Sequence, residues 1–218
     1  MSELIINPSP AQPPREILDA FRPIPAAIIS DNLVRIPGIC GLRPFHNGAK
    51  LVGTALTVKT RPGDNLMIHK CFDLARPGDV VVVDGGGHTT QALVGELMAT
   101  YAARLGVVGF VMDGAIRDAG AFAASDFACY ARAAIHKGPY KDGPGHINVP
   151  VVIGGHVVNP GDIVVGDEDG LVSFSPDLAQ SLLAACRALM DKEDGIMRSI
   201  EEDRLDRSWI EGRLAAWS

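Results

Sequence analysis

The sequence predicts a mixed α/β domain closed by a long C-terminal helix, and three patterns carry that expectation. Val80-Val81-Val82-Val83 and Val107 to Met112 are short unbroken apolar runs, each followed by Asp-Gly, which is how strands buried on both faces of a parallel sheet read. Between them Leu93, Val94, Leu97, Met98, Tyr101, Ala102 and Leu105 recur at three- and four-residue steps before Gly106, the spacing of an amphipathic helix with a glycine stop. Strand, helix, strand is a βαβ unit with a right-handed crossover. Beyond Pro176 the residues Leu182, Leu183, Cys186, Leu189, Met190, Met197 and Ile200 keep helical spacing.

The remaining elements follow in chain order. Four prolines between Ile5 and Pro14 predict a loose N-terminal arm, residues 1–14, ahead of an α/β domain over 15–175. Ile17, Leu18 and Phe21 form a short helical stripe, and Pro25 stands where an N1 proline opens a second helix to Leu33. Leu51 to Thr60 is rich in β-branched residues and reads as a strand. Pro-Gly-Asp occurs at residues 62–64, 77–79 and 160–162, each time as a turn in which proline sets φ and glycine supplies a positive one. Asp64 can cap a helix through Leu66, Met67 and Leu74. A short alanine-rich helix is expected from Ile116 to Ala124, hairpins with Asp-Gly chemistry from Ile147 to Phe174, and a helical extension over 176–218.

Composition narrows the function. With 218 residues, 47% hydrophobic and mean hydropathy +0.15, the chain can bury a sizeable core. Its 20 Lys and Arg are scattered against 26 Asp and Glu, a net charge of −6, which argues against a nucleic-acid surface. No apolar run approaches the ~20 residues of a membrane span, and Met1-Ser2-Glu3-Leu4 lacks the basic start of a signal peptide, so a cytoplasmic protein is expected. Cys40, Cys71, Cys129 and Cys186 stand alone and read as buried free thiols. The six histidines show neither H-x-H nor H-E-x-x-H spacing, so any metal is better held by oxygen.

In open α/β sheets ligands gather at the carboxyl ends of strands, marked here by Asp84-Gly85-Gly86-Gly87-His88 and by Asp113-Gly114-Ala115-Ile116-Arg117-Asp118. The glycine run could let backbone N–H groups approach an anion, or be a plain turn; it matches neither G-x-G-x-x-G nor the P-loop. Arg117 and Asp118 begin a helix directly after a buried strand and can project into one cleft. A guanidinium grips a carboxylate or polarises a carbonyl, and the adjacent carboxylate can anchor a hard cation, although Arg-Asp alone is a common surface pair. Glu96, in Gly95-Glu96-Leu97-Met98, reads as a base or water-holder, or as an exposed helix residue. Glu193 lies seven residues after Cys186 and so, at about 100° per residue, within about 20° of the apolar stripe. A charge on a burying face needs a partner, which suggests that the last helix packs on a neighbouring subunit; the other reading is fraying at the stripe's end.

At these residues the sequence resembles the class II pyruvate aldolases that include 4-hydroxy-4-methyl-2-oxoglutarate/4-carboxy-4-hydroxy-2-oxoadipate aldolase, a superfamily shared with the regulator of ribonuclease activity A. The resemblance runs from Ile24 to Ile200. It is carried by Glu96, twenty intervening positions and then Arg117-Asp118, by Asn148-Val149-Pro150-Val151, and by Val158-Asn159-Pro160-Gly161-Asp162-Ile163-Val164 through Asp167-Glu168-Asp169-Gly170. It implies a layered αββα sandwich of the swivelling-domain kind, assembled as trimers or hexamers with active sites between subunits. It implies Mg²⁺ or Mn²⁺ on Asp118, the keto oxygen on Arg117, and the pyruvyl carboxylate on the Gly95-Leu97-Met98 segment through the amides of Leu97 and Met98. Glu96 would orient a metal-associated water, and Glu193 would come from the adjacent subunit.

The activity so implied is cleavage of 4-hydroxy-2-oxo acids to pyruvate through an enolate, with oxaloacetate decarboxylation beside it and no lysine Schiff base. A non-catalytic, protein-binding regulator is the alternative. A methyltransferase is disfavoured by the lack of a glycine-rich adenosylmethionine loop. His136 to His146 reads as a loop near the site, or as a plain ordered proline-glycine loop; it departs from the aromatic-degradation aldolases and leaves the substituent beyond the pyruvyl core open.

Overall fold

The computed structural model describes residues 4–35 and 38–217. Two short helices come first, α1 (Arg15–Phe21) and α2 (Ala26–Asn32). Pro14 and Pro25 are their N-caps, with φ of −52° and −59°; Pro25 thus sits one place outside the predicted N1 position. There follow β1 (Arg43–Pro44), β2 (Leu51–Thr60), α3 (Leu66–Cys71), β3 (Asp79–Val94), α4 (Glu96–Arg104), β4 (Gly109–Ile116), α5 (Ala119–Ala123) and β5 (Ala128–Ala134). Short strands β6 (Gly145–Ile147), β7 (Val151–Ile153), β8 (His156–Val158), β9 (Ile163–Asp167) and β10 (Gly170–Phe174) lead into α6 (Ala179–Glu201) and α7 (Trp209–Leu214).

One mixed sheet runs β1-β5-β4-β3-β2-β9-β10, with β6 on β2 and β7-β8 as a separate hairpin. From β2 through β3 and β4 to β5 the neighbours are parallel; the other pairings are antiparallel. Alternation along β2 sorts its side chains. Leu51 and Ala55 enter an inner core with Val82, Tyr130 and Val164. Leu56 and Val58 face an outer core with Ile68, Ala102 and Phe122 of α3, α4 and α5. Val52 joins a second outer core with Phe21, Ile29 and Leu183 of α1, α2 and α6.

The sheet curls until its inner face closes on itself, and Tyr130 ties the closure. Its hydroxyl donates to the Asp167 carbonyl at 2.8 Å, from β5 to β9, although β4, β3 and β2 lie between them in the sheet. Helices outside and two β layers inside give the αββα layering, both β layers being halves of one continuous sheet.

Several boundaries depart from the sequence reading. The helix expected from Leu93 begins at Glu96, because Leu93 and Val94 are the last residues of a 16-residue strand. That strand also passes through Asp84 to His88, where a loop is expected. Gly86 and Gly87 take φ of +66° and +68°, which lets extra residues bulge out of register against β4. β4 likewise continues past Asp113-Gly114 to Ile116, so the alanine-rich helix starts at Ala119 rather than Ile116. β5 was not expected, and the C-terminal extension breaks after Glu201 instead of running on.

The arm expected to be loose is tied down. Ile147 N–H donates to Ile5 O at 2.9 Å and Asn7 N–H to Ile147 O at 3.1 Å. The side-chain amides of Asn7 and Asn148 each donate to the other's backbone carbonyl, and Gln12 reaches Asp79 at 2.7 Å.

The three Pro-Gly-Asp segments are turns, with φ of +73°, +90° and +89° at Gly63, Gly78 and Gly161. Cys71, Cys129 and Cys186 are buried free thiols, with burial pushing each pKa up, whereas Cys40 is exposed. Among the described residues no helix is long and apolar enough to cross a membrane.

Asp167 clasps α2 to β9. Its carboxylate accepts from Ala26 N–H at 2.7 Å and Lys50 Nζ at 2.8 Å. Burial alone would raise its pKa, but these donors outweigh that and hold it below the ordinary 3.8. Its stabilising contribution is therefore full above the unfolded carboxylate range and is lost as pH falls through the depressed folded value. In chemical denaturation, Asp167→Asn is expected to flatten the stability curve below the ordinary carboxylate value of 3.8. Tyr130→Phe, which deletes a buried hydrogen bond, is expected to lower unfolding free energy by about 1–2 kcal/mol at neutral pH without altering the fold.

Candidate active site

The site forms where the parallel strands β3 and β4 end side by side. Val94 pairs with Ile116, and Arg117 N–H donates to Val94 O at 3.0 Å, so the two chains leave the sheet together. One turns into α4 through Gly95, the other into α5 through Arg117 and Asp118. Gly95 is extended, with φ −153°, so its conformation suits any residue. Space is what demands glycine: a Cβ there would collide with Asp118 Oδ2 and meet Arg117 Cγ at 2.9 Å.

Asp118 takes the left-handed conformation, φ 57° and ψ 39°, and its carbonyl accepts from Ala121 N–H at 2.9 Å at the start of α5. Aspartate tolerates this region better than most side chains. So turned, its Oδ2 accepts the Glu96 N–H at 3.0 Å and lies 3.6 Å from Arg117 Nε. The carboxylate thereby satisfies an orphan donor of α4's first turn, where the helix dipole favours negative charge. Arg117 and Asp118 stay 44% and 40% exposed, open to a ligand.

Arg117 lines a cleft of about 300 Å³ with Gly95, Leu97 and Met98 among the expected residues, whereas Asp118 lines an adjoining open hollow of about 450 Å³ with Arg117, Ala134, Ile135 and His136. Three residues not among the expected site residues complete the cleft, one of them in the loop His136 to His146 that the sequence places near the site. Asn65 and His69 come from the start of α3 and Lys141 from the loop before β6. Asn65 is 2% exposed; its Nδ2 donates to Leu93 O at 2.9 Å while its Oδ1 makes no hydrogen bond. A buried acceptor without a donor is uncommon and suits a ligand that brings one. Burial, and then the Lys141 ammonium, hold the His69 imidazole below its usual 6.5, so it is neutral at neutral pH and the outer wall's cation is Lys141. The sequence signal for this wall was weak: Asn65 follows the first Pro-Gly-Asp, and Lys141 sits in the glycine-proline loop that departs from the resemblance.

Not every expected residue converges. The Glu96 backbone reaches Asp118, but its side chain lines a separate apolar groove of about 460 Å³ with Phe122 and Phe127. Met98 N–H is taken by Gly95 O at 3.1 Å, which leaves Leu97 N–H as the first-turn amide without a partner among the described residues. Glu193 lies exposed on α6, a helix that packs on α1 and α2, and one chain alone does not bring it to the cleft. Among the described residues no three His, Cys, Asp or Glu side chains converge on a metal position.

The family model described as RraA-like, Aldolase/RraA, matches residues 26–173. A Halalkalibacterium halodurans protein provisionally named 4-hydroxy-4-methyl-2-oxoglutarate aldolase is 35% identical over 189 residues, 86% of this chain and 90% of its own. Among solved structures, a Pseudomonas syringae protein superposes with TM-score 0.78 at 25% identity, over 88% of this chain and 96% of the other. The RNA-processing inhibitor RraA from Thermus thermophilis gives TM-score 0.63 at 30% identity, over 69% and 92%. With the family model spanning residues 26–173, from α2 through nearly the whole of β10, the chain belongs to the RraA-like (Aldolase/RraA) family.

Proposed function

We propose that this chain is a divalent-cation-dependent aldolase that cleaves 4-hydroxy-2-oxo acids to pyruvate and also decarboxylates oxaloacetate. One observation carries the reading: a guanidinium and a carboxylate, both half-exposed, held side by side at the first turn of α4, with the guanidinium shared between the cleft and the hollow that the carboxylate lines. The provisional aldolase name of the Halalkalibacterium relative supports it.

The donor set suits Mg²⁺ or Mn²⁺. Asp118 offers one carboxylate whose Oδ1 has no partner among the described residues, and such cations bind through one or two carboxylates while keeping several waters. When bound, the cation would supply Lewis-acid stabilisation of negative charge. The chain's own groups do the rest. Arg117 would donate to the 2-oxo oxygen and strengthen that bond as the oxygen gains charge. The unpartnered Leu97 N–H, with Gly95 and Met98 shaping the same turn, would hold the pyruvyl carboxylate at the helix N-terminus.

The C4 hydroxyl would lose its proton through a water to Glu96, once that exposed side chain has swung from the neighbouring groove toward Arg117 and Asp118, and the electrons of the C3–C4 bond would pass into the pyruvyl enolate as C4 becomes a carbonyl. The C3 methylene would then take a proton back from Glu96 through water to give pyruvate. With oxaloacetate, carbon dioxide leaves in place of the carbonyl fragment and the same enolate results. Glu193 would enter from a neighbouring chain in a trimer or hexamer. Ile196, Met197 and Ile200, apolar and exposed just beyond it, support an interface there.

A second reading, a protein-binding regulator without catalysis, is favoured by the likeness to the Thermus RNA-processing inhibitor. Pyruvate release coupled to lactate dehydrogenase separates the two. The aldolase reading expects turnover of oxaloacetate or 4-hydroxy-2-oxo acids that a chelator abolishes and Mg²⁺ or Mn²⁺ restores. Turnover indifferent to chelation would overturn the mechanism, and no turnover on any such acid would favour the regulator. Asp118→Asn keeps size and the left-handed backbone but loses the charge; it is expected to cut the metal-stimulated rate by about 100-fold with melting temperature unchanged. Arg117→Met is expected to lower kcat by about 100- to 1000-fold.

A further inference from the structure

The three Pro-Gly-Asp turns use their carboxylates differently. Asp162 accepts from Asn159 N–H in its own turn, and Asp79 from Arg76 N–H in its own turn and from the arm's Gln12. Asp64 reaches across the molecule. Its fully buried side chain takes Leu66 N–H on Oδ1 at 2.9 Å, and on Oδ2 it takes Asp142 N–H at 2.8 Å, Gly143 N–H at 3.0 Å and Arg61 Nη2 at 3.0 Å. Backbone bonds continue the seam: Asn65 N–H to Tyr140 O at 3.0 Å, Tyr140 N–H to Gly63 O at 2.9 Å, and Arg61 N–H to Pro144 O at 3.2 Å. The Arg61 guanidinium also lies over the Tyr140 ring, 5.5 Å from its centroid.

These contacts join the two pieces of the cleft's outer wall. Leu66 opens α3, which carries His69, and Asn65 precedes it; Gly138, Pro139 and Lys141 belong to the loop hung on Asp64. The inner wall, Gly95, Leu97 and Arg117, rests on other elements, the ends of β3 and β4. A single carboxylate with four donors therefore ties together the two pieces of one wall; the walls themselves meet at the end of β3, through Asn65 Nδ2 on Leu93 O at 2.9 Å and Ala92 N–H on Lys137 O at 2.8 Å, contacts the Asp64 carboxylate does not make.

We propose that Asp64 is a positioning residue that fixes the outer wall and so selects substrates by the group they carry beyond the pyruvyl core. The proposal rests on the aldolase reading, and two readouts on the full-length, metal-loaded protein keep them apart. Exchange of pyruvate methyl protons with deuterated water, followed by NMR, needs only the inner wall and the enolate. Cleavage of 4-hydroxy-2-oxo acids needs both walls.

In Asp64→Ala, hydrogen exchange at the amides of Asp142 and Gly143 is expected to speed up and KM for the hydroxy acids to rise about tenfold, while pyruvate proton exchange keeps its wild-type rate. Asp64→Asn keeps one accepting oxygen and should fall between the two; it also serves if the alanine variant does not fold. Asp142→Asn removes only the exposed, 3.5 Å pairing with Arg61, Asp142 being 74% exposed, and should change neither readout. Wild-type KM in both Asp64 variants, or an equal loss of cleavage and of pyruvate exchange, would overturn the proposal. A wild-type protein that neither exchanges nor cleaves would overturn the aldolase reading, and this selective role with it.

Discussion

The contact on which the site depends is the Asp118 carboxylate turned back onto the first amide of α4. It links the exits of two adjacent parallel strands, and it exists only because three conditions hold together. Gly95 leaves room where a side chain would stand, Asp118 accepts a left-handed backbone, and the β3–β4 ladder keeps its pairing to Val94 and Ile116. With the carboxylate there, Arg117 has a neighbour of opposite charge 3.6 Å away while lining the cleft. The same geometry serves a cation ligand and a helix cap, which is economical for a single side chain.

The strands of the parallel unit were legible because their apolar runs can be buried on both faces and because Asp-Gly follows each. Arg117 and Asp118 could be placed at a strand end for that reason. The start of α4 was misplaced because Leu93 and Val94 satisfy both periodicities: they continue the helical stripe, yet they are wholly buried as the end of β3. Nothing local distinguishes the two, and the pairing of Val94 with Ile116 decides it. β5 escaped notice because Ala128-Cys129-Tyr130-Ala131-Arg132-Ala133-Ala134 is rich in alanine, a helix former, and is made a strand by its parallel partner β4.

The outer wall of the cleft was half legible, for the loop with Lys141 reads as near the site but its neighbour on the wall does not. Asn65 and His69 lie more than seventy residues before Lys141, and what unites the three is a buried carboxylate accepting amides 78 and 79 residues away. A turn motif announces that an aspartate will bond its own loop; it says nothing of a second loop arriving at the same oxygen. Glu193 has the opposite character. Its phase on α6 was readable, but a single chain gives it nothing to meet.

The N-terminal arm has a consequence of a different kind. By pairing with Ile147 and exchanging amides with Asn148, residues 5–7 lie along the outer margin of β6, a three-residue strand that would otherwise end the sheet there with unmet backbone groups. Bare margins of that sort invite strands from other molecules. The arm acts as a selvedge, a woven border that keeps the fabric from running, and a preparation trimmed of it would be prone to clump before it lost any of its core.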